Sequence, residues 1–173
     1  MRSRFLHLTL ALFAATSVAA QSLNWREYKN PGGNFSVQMP AEPKDTKNGA
    51  SDEASHTVQA VVAGVGYTVV YSKSSADEAV DDAQFKEYKE GTLGAAKCTV
   101  ANESPASPAI PGFIGRHYRL DCATGAQKLN FLGNMYVGKH YSYTVMVMFP
   151  ASPVDSPTAK KFVESFALID PAK

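Results

Sequence analysis

Residues 115 to 122, GRHYRLDC, bring a histidine, an aspartate, a cysteine and two arginines within eight positions. These side-chain types serve general acid–base catalysis, nucleophilic attack and metal binding, so their mutual reach decides whether they form a site. A strand through this stretch sends Arg116, Tyr118, Leu120 and Cys122 to one face and His117, Arg119 and Asp121 to the other. Cys122 then cannot face His117 within the strand. His117 and Asp121 share a face but stand four residues apart, roughly 13 Å at the rise of a strand. A nucleophile and its base need about 3 Å. The expectation is a solvated polar row of His117, Arg119 and Asp121, with His117 and Arg119 open to a partner.

The other histidines downstream of the first twenty residues are His56 and His140, each opening a strand-like run. No H-x-x-x-H or H-E-x-x-H spacing accompanies them, so no metal site is predicted. G-x-S-x-G and the P-loop are absent, and Gly64-Val65-Gly66 precedes a strand run rather than a helix that could present its N-terminus to phosphate. No cofactor is predicted. An enzyme would have to assemble its site from distant residues such as His56, His117, Asp121 and His140, most simply as a hydrolase.

Aromatic residues give the stronger suggestion of binding. Tyr136 precedes Gly138-Lys139, and Tyr141 and Tyr143 follow it. Tyr141, Tyr143, Val145, Val147 and Phe149 share one strand face, with Ser142, Thr144, Met146 and Met148 opposite. Apolar residues on both faces describe a central strand covered on both sides. The tyrosines at its open end are the candidate ligand or partner surface, together with His117 and Arg119.

The elements that would position these residues follow from pattern. NFSVQMP alternates Phe35, Val37 and Met39 with polar neighbours, a half-buried strand ended by Pro40. Residues 40 to 54 read as a polar loop. Two β-rich runs, about 56 to 63 and 67 to 73, flank Gly64-Val65-Gly66 as a hairpin. A helical stretch follows, with Asp77, Glu78, Asp81 and Asp82 near its start and Phe85, Tyr88 and Leu93 along one face. Acids at a helix N-terminus are favoured by the macrodipole, and no calcium-loop pattern accompanies them. After the proline-rich SPASPAIPG come three strand runs, about 113 to 122, 127 to 137 and 140 to 149, the last two joined through Gly138-Lys139 as a type II′ turn. Ser156-Pro157 then opens a helix with Phe162, Val163 and Phe166 as its apolar stripe. The order predicts an α+β fold: a mostly antiparallel sheet with about two helices packed on it.

The N-terminal MRSRFLHLTLALFAATSVAA has Arg2 and Arg4 before an apolar run and ends in small residues, the pattern of a secretory signal peptide cleaved before Gln21. Residues 1–20 are thus expected to be removed, leaving a single domain over 21–173 with no membrane span. The mature chain would be exported, to the periplasm or beyond, and carry 15 basic against 16 acidic residues. With no basic cluster, nucleic acid is excluded as a partner class. Cys98 and Cys122 both survive cleavage, and an oxidising compartment would join them in a disulfide.

Several stretches together, NFSVQMPAEPK, YTVVYS, GFIGRHYRLD, FLGNMYVGKHYSYTVM and SPTAKKFVESFAL, resemble a group of small exported bacterial domains without assigned function. The element order is also similar to the Mog1/PsbP-like superfamily, which includes DcrB-like envelope proteins. That resemblance implies an antiparallel sheet with helices on its faces and carries no catalytic set. The expectation is a non-enzymatic domain that binds a protein or small ligand in the cell envelope.

Overall fold

The computed structural model describes residues 23–50, 55–73, 80–124, 127–150 and 156–171. The expected leader, its cleavage point and the acids Asp77 and Glu78 lie outside the described residues. In chain order the elements are β1 (Arg26–Asn30), β2 (Phe35–Met39), β3 (Lys44–Asn48), β4 (Ser55–Val62), β5 (Val65–Lys73), α1 (Asp82–Ala96), β6 (Cys98–Pro105), β7 (Phe113–Thr124), β8 (Gln127–Gly138), β9 (Tyr141–Phe149), α2 (Pro157–Glu164) and β10 (Ala167–Leu168). The fold is α+β and its strand pairings are antiparallel, as the pattern implied.

Seven strands form one sheet in the order β3-β4-β5-β9-β8-β7-β6, and β1-β2-β10 form a second, smaller one. β9 is the central strand of the large sheet, which explains its apolar residues on both faces. On one face Tyr143, Val145 and Val147 are fully buried among Phe35 of the small sheet, Phe162 of α2 and Phe166 just after α2. On the other, Met146 packs with Met135, Tyr118 and Leu120 under Phe85 and Tyr88 of α1. Three layers result, with the large sheet in the middle.

Each helix begins where its cap allows. The Asp81 side chain accepts from Gln84 N at 2.8 Å while Gln84 Oε1 accepts from Asp81 N at 3.0 Å, a reciprocal capping box. Asp81 is therefore engaged in starting α1. In α2, Ser156 Oγ accepts from Ala159 N at 3.0 Å and Pro157 occupies the first turn. Ala159, Phe162, Val163 and Phe166 recur at helical spacing and are buried, each large apolar side chain contributing roughly 1.5–3 kcal/mol.

Four details differ from the sequence reading. The β4–β5 turn is Ala63-Gly64, both at positive φ, as a type I′ hairpin requires. The β8–β9 turn is Lys139-His140, not Gly138-Lys139. Gly138 instead pairs with Phe113 inside the sheet, where an added Cβ would lie 2.5 Å from the Phe113 ring. β3 occupies part of the expected polar loop, and β6 runs directly from Cys98 to Pro105 before the proline-rich turn. Both are edge strands with exposed polar residues, and β6 carries a bulge between Val100 and Asn102, features that discourage pairing with other chains.

Candidate ligand-binding site

A cavity of about 530 Å³ opens between α2 and the β6–β7–β8 side of the large sheet. Pro105, Leu132, Pro157 and Val163 supply its apolar wall, and His117 stands on its sheet side. Ser104 lies directly opposite His117 across the β6–β7 ladder, and Asn134 lies directly opposite it across the β7–β8 ladder. Ser104, His117 and Asn134 therefore form one row across three neighbouring strands, on the face that α2 covers.

The chemistry of this row is set by hydrogen bonds to backbone carbonyls, which can only accept. Asn134 is fully buried, and its Nδ2 donates to Ser107 O at 2.9 Å and to Tyr136 Oη at 2.7 Å. Tyr136 Oη in turn donates to Pro108 O at 2.8 Å. Asn134 Oδ1 is thereby fixed as an acceptor, so His117 Nδ1, 2.7 Å away, must carry a proton and donate to it. In the neutral imidazole the acceptor lone pair is then on Nε2. This buried chain also ties the Ser107-Pro108 turn to the sheet. His117 is thus half-buried and anchored, not part of a solvated row. Arg119 is half-buried on the same strand face, and Asp121 is exposed two residues beyond it.

The tyrosines expected at the surface are mostly interior. Tyr136 and Tyr143 have no exposed area, and Tyr143 Oη donates to Gly33 O at 2.8 Å. Burial pushes the Tyr136 phenol up to about 12, with the Asn134 bond lowering it in part, and pushes Tyr143 higher still, helped by neighbouring Tyr141 and Tyr71. Both belong to the core beneath the Pro31–Asn34 turn and α2, so neither offers a binding surface. Tyr141 is half-buried and stacked on Tyr143 at 5.7 Å. Their position in the two adjacent inner strands β8 and β9, which the sequence could suggest but not place, is what buries them.

The residues of a dispersed hydrolase site stay apart. β4 and β7 are four strand steps from each other, roughly 19 Å at the usual strand spacing, which separates His56 from His117. His140 is exposed in the β8–β9 turn. His56 does meet a carboxylate: its Nδ1 lies 3.2 Å from Asp45 Oδ1, and Asp45 Oδ2 accepts from Asn30 Nδ2 at 3.0 Å. His56 is also stacked on Tyr71 at 4.8 Å. This group fastens the outer β3–β4 hairpin to β1, and neither Asp45 nor His56 lines the cavity.

Cys98 and Cys122 face each other across β6 and β7 and are joined in a disulfide. Neither thiol is a nucleophile. Asn134 and the cavity wall of α2 were not singled out in the sequence; the register that aligns Asn134 with His117 is a property of the folded ladder. No protein-family model and no curated protein matches this chain.

Proposed function

We propose that this chain is an exported domain that binds a small ligand in the cavity beneath α2. The observation that carries the reading is the cavity itself, whose volume of about 530 Å³ suits a drug-sized molecule and whose apolar wall is paired with a rigidly oriented histidine. Export rests on the leader-like N-terminus and on the resemblance to small exported bacterial domains, and the Cys98–Cys122 disulfide is compatible with an oxidising compartment. No described helix is long and apolar enough to cross a membrane.

The test is a ligand screen by amide chemical shifts. Binding in the cavity moves resonances of Leu132 and Val163, and Leu132→Trp, which fills the space, abolishes it while leaving the folded spectrum intact. Ligands that bind equally well to Leu132→Trp would place the site elsewhere. Mass spectrometry of the exported chain is expected to give a mature N-terminus at Gln21.

A second reading has one specific support, the Ser104–His117–Asn134 row. It has the order of nucleophile, base and orienting group, although Ser104 and His117 make no hydrogen bond with each other. Hydrolysis of p-nitrophenyl butyrate that disappears in Ser104→Ala would replace the binding reading with an esterase.

A further inference from the structure

The binding reading above can be carried to a ligand class. We propose that the cavity selects a neutral amphiphile, an apolar body bearing one alcohol or phenol hydroxyl, whose proton is donated to His117 Nε2.

Three features converge on that chemistry. The bonds from Asn134 to Ser107 O and Tyr136 Oη hold the carboxamide in one orientation, so His117 Nδ1 is a donor and its ring cannot turn over without breaking the 2.7 Å bond to Asn134 Oδ1. Nε2 makes no hydrogen bond among the described residues, on a side chain that lines the cavity. An acceptor left on a cavity wall is matched by a ligand donor. Among the described residues the lining has two ionic side chains, Lys160 and Glu164, which lie one helical turn apart and pair with each other at 3.8 Å. The described lining therefore carries no net charge to compensate a ligand ion. Leu132, Val163, Pro105 and Pro157 supply the surface for an apolar body.

The experiment compares 4-phenylphenol, 4-methoxybiphenyl and biphenyl-4-carboxylate on the intact mature chain at pH 8, by calorimetry and by the His117 ring ¹⁵N resonances. The three probes share one body and differ in donor, capped oxygen and charge. The expected result is that the phenol binds about tenfold tighter than the ether, the worth of one hydrogen bond to a group otherwise left unpaired. The Nε2 resonance moves with the phenol and not with the ether. In His117→Phe the phenol–ether ratio falls to about one while the ether still binds; the wild-type ratio and ring shifts stand as the test if that variant does not fold. Equal binding of phenol and ether to the wild type, or a phenol-induced shift absent at Nε2, overturns the hydroxyl assignment and leaves the cavity reading standing. Tightest binding by the carboxylate overturns it in favour of an anion site led by Lys160. Binding of none of the three overturns both this inference and the cavity reading.

Discussion

At the scale of single residues, two buried tyrosines on adjacent strands make opposite predictions. Tyr136 Oη accepts from Asn134 and donates to Pro108 O, whereas Tyr118 Oη is buried without a well-formed hydrogen bond among the described residues, with the Glu103 carboxylate near it. Removing the Tyr136 hydroxyl strips a partner from a fully buried carboxamide, so Tyr136→Phe is expected to lower stability by about 1–2 kcal/mol. Removing the Tyr118 hydroxyl relieves an unpaired buried group, so Tyr118→Phe is expected to be neutral or to stabilise by up to about 1 kcal/mol. Urea titrations of the two variants decide the matter. Equal losses would mean that Tyr118 has a partner after all.

At the scale of elements, β6 depends on β7 for its place in the sheet. It is an exposed edge strand with a bulge, and its first residue is pinned to Cys122 across a sequence separation of 24. On the chain-entropy model a loop of that length makes the bond worth about 3.5 kcal/mol. The Cys98→Ala/Cys122→Ala double variant is therefore expected to melt well below the oxidised protein, and reductant to leave its own melting temperature unchanged. The cavity wall depends on α2 in the same way. Ser156→Ala removes the bond to Ala159 N and is expected to cost about 1 kcal/mol, with faster amide exchange in the first turn of α2 and no change in α1.

At the scale of the whole molecule, layers on both faces of the large sheet keep several phenols out of water. Tyr118, Tyr136 and Tyr143 all have their ionisation raised, chiefly by burial, Tyr136 to about 12. The unfolded chain ionises its tyrosines near 10, so it loses protons before the folded state does. Stability is thus fully present below pH 10 and falls as the pH rises from about 10 toward 12. A tyrosinate titration at 295 nm is expected to show an exposed fraction ionising first, then a cooperative step that coincides with loss of the far-ultraviolet β signal. A smooth single titration with the fold retained would contradict the burial of these phenols.

Local pattern determined a good part of this protein. Alternation in NFSVQMP and in YSYTVMVMF marked β2 and β9, helical spacing of Phe162, Val163 and Phe166 marked α2, and two cysteines behind a leader-like N-terminal pattern implied their bond. Those signals are legible because burial repeats with the period of the element. β3 and β6 escaped because an edge strand buries little and its polar, proline-bounded residues read as loop. The site escaped for a different reason. Strand alternation correctly split GRHYRLDC into two faces but could not say what each face meets, and α2 and Asn134 reach His117 from 43 and 17 residues away in numbering, measured from Lys160 and Asn134. Only the tertiary structure decided that Tyr136 and Tyr143 are core and that His117 lines a cavity, because cross-strand register and helix packing join residues that no local period relates.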